Sequence, residues 1–390
     1  MTVTDRAPVR EFKGYWGRVL DEDPFAAWLP YREMDPFWAE GDHVNPEGVW
    51  VLTRFDQIRE LQQNPKKFSH AIRVEGDMVD PLMPSMFDPP QQLKQRSVIL
   101  PLMTAAKIDP LQPKMHRVCR ELLATFKDRG HCDAVSEFAQ RYPIKIFGDL
   151  YGLEESRREG FRVLAETWLH DHTQQHQAWA SIRQIMREEL EKRREEPQDD
   201  MLNGIAHSEV DGELIPIDTA INLASTVFLG GLDTLPSNMA WTLRYLTEHP
   251  DLRHRLANDP DCISGAVEEF FRIYPVARNG ARAVADIEFH GANMKAGDRV
   301  ICLINLANVD SAVFEDPLTI NFDRTANKHM AFSAGSHRCL GSHLARHEMG
   351  VFLQEWHKAI PDYRISDPDA ISFTGGSVLA MRNLPLEWDV

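Results

Sequence analysis

Phe332-Ser333-Ala334-Gly335-Ser336-His337-Arg338-Cys339-Leu340-Gly341 is the stretch that decides how this chain is read. It is a tight loop that delivers one cysteine to the start of a helix. The helix, roughly residues 341 to 357, is amphipathic: Leu344, Met349, Phe352 and Leu353 recur at helical spacing. A cysteine just ahead of a helix sits near free backbone N–H groups and the positive end of the helix dipole. Both favour thiolate over thiol. Gly335 and Gly341 let the backbone bend and lie close to a flat object. Those are the needs of a thiolate that ligates haem iron. Two other readings compete. One is a buried structural cysteine, which the ten-residue pattern argues against. The other is a zinc site from His337, Cys339 and His343, which no second cysteine pair supports.

A second centre lies in a long helix expected over residues 217 to 248, with Pro216 and Asp218 suited to its first turn. Its middle reads Phe228-Leu229-Gly230-Gly231-Leu232-Asp233-Thr234-Leu235-Pro236. Each mid-helix glycine costs about 1 kcal/mol relative to alanine, and an interior proline about 3 kcal/mol. Costs stacked in one turn imply a use. The glycines remove side chains where something lies against the helix. Pro236 cannot donate to the Leu232 carbonyl, and Thr234 can bond back to the Gly230 carbonyl. The expected result is a widened, kinked turn with free polar groups facing an apolar cavity. A helix kinked only for packing is the alternative.

The cysteine loop resembles the haem-binding signature of the cytochrome P450 family, Phe-Gly-x-Gly-x-His-x-Cys-x-Gly. Ser333 replaces the first glycine, and a serine is accommodated there at negative φ. The resemblance implies haem b with Cys339 as axial ligand. It also implies dioxygen as co-substrate, with Phe332, Gly335 and Gly341 shaping the loop. Residues 228–236 resemble the family's oxygen-binding groove, in which Gly230 and Gly231 would line the cofactor. Asp233 and Thr234 would be the acid-alcohol pair that delivers protons to bound dioxygen. Glu269-Phe270-Phe271-Arg272 places Glu269 and Arg272 at i and i+3 on one helix face. With Arg324 from Asn321-Phe322-Asp323-Arg324 it resembles the family's structural triad, which locks the loop feeding Cys339. Arg96, Arg282 and His337 match positions that bind the haem propionates, for which the guanidinium fork is suited. Gln92 stands where many members have histidine.

The resemblance runs from about Trp50 to Val390 and implies the P450 fold as one domain over 1–390. That fold is mainly α with small β sheets. Residues 230–234, 287–291 and 384–389 look nearest to the soluble bacterial camphor monooxygenases. Members of that subgroup take electrons from a two-iron, two-sulfur ferredoxin and its NADH-dependent flavin reductase. Lys94, Arg96 and Arg338 would supply local positive charge for docking. Pocket positions by matching are Thr226, Leu229, Ala277, Arg278, Ser377 and Val378. The camphor enzyme orients its ketone with a tyrosine that has no counterpart in Met78-Val79-Asp80-Pro81-Leu82-Met83-Pro84. A compact terpenoid-like substrate, hydroxylated at an unactivated carbon, is therefore expected, with Arg278 either anchoring a carboxylate or carbonyl on it or swung away to a propionate or to solvent. His170, His172 and His176 read as a polar lid turn rather than a metal site.

Composition narrows the class. The 390 residues exceed the usual single-core size, and 43% hydrophobic content allows a full core. A charge of −16 disfavours nucleic acid and anionic membrane as partners. No run of 18 apolar residues is present, and residues 1–10 are polar without an apolar signal core. Five scattered cysteines, Cys119, Cys132, Cys262, Cys302 and Cys339, argue for reduced thiols. The expectation is a cytoplasmic, monomeric protein. Strands are expected at 48–52 and 299–306, a helix at 55–64, mostly helix over 90–275, and a closing hairpin at 376–388. Two other functions compete with the monooxygenase. A peroxide-driven haem-thiolate enzyme would typically lack the acid-alcohol pair kept here. A non-catalytic haem sensor or electron carrier would have no purpose for the kinked polar turn.

Overall fold

In the computed structural model, residues 8–15, 19–41, 44–71, 81–171 and 173–390 are described. Strand Val49–Leu52 is apolar at every position and buried on both faces. It pairs in parallel with Arg299–Cys302, setting Trp50 beside Val300 and Leu52 beside Cys302. Arg299–Cys302 in turn pairs antiparallel with Asn279–Ala283. Val9–Arg10, Phe37–Ala39 and Phe68–Ser69 complete a six-stranded sheet. Trp50 is fully buried and its indole N–H donates to Asp298 Oδ2 at 2.9 Å, which satisfies the one polar atom the burial would strand. The expected strand at 299–306 stops at Cys302. Ile304–Ala307 turns helical, and the Phe55 N–H ties helix Phe55–Gln63 to Asp310 just beyond it.

The helical part surrounds the cysteine helix, Ser342–Ala359. Its apolar stripe packs on helix Gln112–Ala124 and meets Phe138 through Phe352 and Trp356. The long helix expected at 217–248 is two helices, Ile217–Leu232 and Thr234–Thr247, broken at Asp233. The closing hairpin is also divided. Ala380–Asn383 pairs with the upstream strand Ser372–Thr374, while Pro385–Glu387 joins His131–Asp133 in another sheet. Pro385 sits at the strand's first position, where the missing N–H is tolerated. No helix among the described residues is long and apolar enough to cross a membrane.

Candidate active site and cofactor pocket

A cavity of about 340 Å³ lies between the broken helix and the cysteine loop. Cys339, Phe332, Arg96 and His337 line it, and so do Gly230, Gly231 and Thr234. The loop is fixed from several sides. The Cys339 N–H donates to Phe332 O at 2.8 Å, and Ala334 N–H to Gln62 Oε1 at 2.8 Å. The Phe332 ring packs against Phe271 and lies 4.4 Å from the Arg346 guanidinium. Arg346 is held in turn by a forked pair to Glu268 at 2.6 and 3.0 Å. Burial would raise the Glu268 carboxyl, but His329 and Arg346 outweigh it and pull it down to about 2.

Cys339 is the one exposed cysteine of the five, and the surface it exposes opens on this cavity. The sulfur is nevertheless deeply enclosed. Burial pushes its pKa up, and the Gly341 N–H and the charges of Arg96, Arg346 and Arg338 pull it down without prevailing. The helix start therefore favours the thiolate, as expected, but does not produce one unaided. A metal cation at the sulfur is what deprotonates a coordinating thiol outright.

The two loop glycines act differently from expectation. Gly335 has φ +67°, and a Cβ there would fall 2.3 Å from Gln62 O. Its close neighbour is thus helix Phe55–Gln63 rather than a flat ligand. Gly341 has an ordinary φ of −82°, and a Cβ would make only normal contacts. Its contribution is its N–H toward the sulfur. Ser333 departs further. Its φ is +61°, the left-handed region, and its buried Oγ has no hydrogen-bond partner. A side chain there costs about 1 kcal/mol. Ser333→Gly should raise unfolding free energy by about 1 kcal/mol in chemical denaturation. Unchanged or lower stability would show that the loop favours serine.

On the helix side, Thr234 Oγ1 bonds to Gly230 O at 3.3 Å, as read from the sequence. A Cβ on Gly230 would meet nothing within 4 Å, so that wall is bare toward the cavity, whereas Gly231 makes room for the Phe147 ring. Asp233 turns the other way and meets His170, at the end of helix Glu155–His170, with Nε2 and Oδ2 3.1 Å apart. Burial lowers the His170 pKa, but the hydrogen bond and charge of Asp233 outweigh it, so the net shift is upward. The ion pair is therefore fully present below the ordinary histidine pKa and is lost as pH rises through the raised value. A small cavity of about 30 Å³ lined by Glu166, His170, Asp233 and Ser237 has room for one water. No sequence motif signalled His170 as the partner of Asp233. His176 is exposed elsewhere, and His172 lies outside the described residues.

The remaining expected positions divide. Thr226 and Ala277 line the cavity. Leu229, Arg278, Ser377 and Val378 do not. Leu229 and Val378 are buried in the core, and Ser377 is exposed. Arg278 Nη1 donates to Tyr15 O at 3.2 Å and Gly376 O at 3.4 Å, and its guanidinium lies 5.5 Å from the Trp28 ring centroid. Two carbonyls and an indole face hold this guanidinium away from the cavity, the second of the two outcomes left open for it. Phe147, Val227, Leu235 and Ser85 are lining residues that matching missed. Gln92 is fully buried and donates to Ser336 O at 2.7 Å, so it holds the loop rather than the cavity. Arg282 lies on strand Asn279–Ala283, off the cavity wall. The expected tyrosine position falls partly outside the described residues, which resume at Pro81. His343 does not join His337 and Cys339; its Nε2 lies 2.7 Å from Asp109.

These residues fit a haem. A sulfur stands in the cavity wall, and the helix beside it is stripped of a side chain at Gly230. At the rim, the Arg96 side chain makes no hydrogen bond or ion pair with the described residues, and His337 Nε2 is buried without a partner. Cationic and donor groups so placed suit the carboxylates of a porphyrin edge.

Comparison with known proteins agrees. The family profile for cytochrome P450 matches residues 160–356. A probable cytochrome P450 127A1 of Sinorhizobium fredii is 29% identical over 94% of this chain and 90% of its own length. A steroid C26-monooxygenase of Mycobacterium tuberculosis is 29% identical over 83% of this chain and 90% of its own. The crystal structure of CYP101C1 superposes with a TM-score of 0.89 at 30% identity, covering 99% of this chain and 98% of that one. With a cavity that joins a cysteine sulfur to a broken helix, and with these relatives over nearly its whole length, the chain belongs to the cytochrome P450 family, the haem-thiolate monooxygenases that use dioxygen.

Proposed function

We propose that this chain hydroxylates a compact, largely apolar, terpenoid-like molecule, with Cys339 holding the iron and a ferredoxin supplying electrons. The observation that carries this reading is that Cys339 and Thr234 share one cavity with Phe147, Val227 and Leu235. Haem held there supplies dioxygen activation and insertion of one oxygen atom into a C–H bond. Arg96 and His337 would hold its carboxylates, and Gly230 would let the helix approach it.

The chain's own work is proton management and orientation. Thr234 lines the cavity, and its hydroxyl would accept or donate a proton there. Asp233 stands one residue away with its carboxylate on the opposite side, against His170. It would carry protons inward from the small polar cavity near Glu166. The apolar wall excludes water from the reacting carbon. With Arg278 turned away, the hydroxyls of Thr226 and Ser85 are the groups that would meet a polar handle on the substrate. Arg338, exposed beside Cys339, supports ferredoxin docking on the cysteine side. Lys94 supports it less, because it is paired with Asp211 at 2.5 Å, and Arg96 faces inward.

The test has two stages. Terpenoids, steroids and long-chain fatty acids are screened for the spin-state shift on binding; tight binding of only the latter two classes would remove the compact-substrate reading. Thr234→Ala is then assayed with the best ligand, ferredoxin, reductase and NADH. It should keep consuming NADH and oxygen while diverting most of them to peroxide. Unchanged coupling would remove Thr234 from proton delivery.

A further inference from the structure

His343-Leu344-Ala345-Arg346-His347 sets two imidazoles four residues apart on the cysteine helix. That spacing brings both to one helix face, one turn apart. Leu344 between them is buried and fixes which way the face looks. Asp109, at the start of the short turn Asp109–Leu111, reaches across to both rings. Its Oδ1 lies 2.7 Å from His343 Nε2 and 3.3 Å from His347 Nε2. The three donor atoms all fall within 4.8 Å of one another.

From this convergence we infer that Asp109, His343 and His347 form a binding site for a divalent transition-metal ion of the zinc type. Zinc bonds to imidazole nitrogen and carboxylate oxygen at about 2.0–2.2 Å, so tetrahedral ligand atoms stand about 3.3 Å apart. The observed separations bracket that value, and small side-chain rotations reach it. Two nitrogens and one oxygen suit zinc over calcium or magnesium, which prefer all-oxygen sets. Three protein ligands leave a fourth position for water or for a group from outside.

The surroundings leave the site free to bind. Lys107, two residues from Asp109, is directed at Asp199 at 3.6 Å. Arg346, between the two histidines, is taken by Glu268. Neither competes for the Asp109 carboxylate. The side chains of Asp109 and His343 are 54% and 40% exposed, so an ion reaches them from solvent without opening the core. Among the described residues the other cluster of this kind is His70, Asp88 and His337, and it includes a residue of the cavity wall, His337.

The test is isothermal titration of the haem-loaded protein with Zn²⁺ alone. One ion per chain should bind in the micromolar range or tighter. His343→Ala and His347→Ala should each weaken it at least tenfold, and Asp109→Asn severalfold. His176→Ala, on an exposed histidine elsewhere, should change nothing. The carbon monoxide spectrum of each variant serves as the check that it is folded, and His343→Gln with His347→Gln is the milder pair if alanine perturbs the helix. No zinc binding by the wild type, or equal binding by the double glutamine variant, would overturn the assignment.

Discussion

Cys339→Ala should lose both the red-shifted Soret band with carbon monoxide and all product formation, while keeping its helical circular dichroism. The two losses have one cause. Cys339 opens on the cavity and is the only one of the five cysteines that does. The other four are buried in the core and none lines the cavity, so none is placed to replace it. No histidine can ligate from the same wall without a shift of the loop, because His337 stacks on His70 at 4.2 Å, toward the rim. Folding should survive, because the loop is held by backbone and ring contacts in which the sulfur takes no part: Cys339 N–H to Phe332 O, Ala334 N–H to Gln62, and Phe332 against Arg346. A variant that retains the thiolate-type band would place the ligand elsewhere and remove the basis of the functional reading.

The site was legible where a residue type has few physical uses. A lone cysteine between glycines ahead of a helix, and two glycines with a proline in one helical turn, each carry a cost that needs a reason. Both proved to face one cavity. What failed was of two kinds. Residues that donate to backbone carbonyls away from the cavity could not be placed by matching. Arg278 found carbonyls and an indole face, and Gln92 found a loop carbonyl. Nothing in their neighbours in sequence signals those partners. The second kind is partnership across long sequence separation. His170 and Asp233 are 63 residues apart, and His343 and Asp109 are 234 apart. Only the packed helices bring them together. The hairpin at 376–388 failed for a related reason, since its two strands pair with different neighbours rather than with each other.

Glu269→Ala should cost about 3–5 kcal/mol in chemical denaturation, the range for breaking a buried ion pair by removing one partner, and should sharply lower haem content. An i,i+3 pair at a surface would contribute almost nothing. Here Glu269 and Arg272 are both fully buried. The carboxylate accepts Arg272 through both its oxygens at 2.7 and 2.8 Å, and Arg324 Nε at 2.9 Å. It also accepts the Asn321 N–H at 2.8 Å and Asn327 Nδ2 at 2.9 Å. Removing it takes the carboxylate from the buried Arg272 guanidinium and from three further donors, Arg324 Nε, the Asn321 N–H and Asn327 Nδ2, at once. The damage reaches the haem site by a short route. Arg272 also donates to the carbonyls of Asn308, Pro317 and Thr319, and Asn308 Oδ1 accepts the Met330 N–H two residues before Phe332. The carboxylate thus fixes the segment that positions the cysteine loop. Glu269→Gln keeps the shape but supplies one acceptor oxygen and no charge, so it should fall between wild type and alanine. A loss below about 1 kcal/mol, the level of a surface pair, with normal haem content would mean that the loop is positioned without the triad.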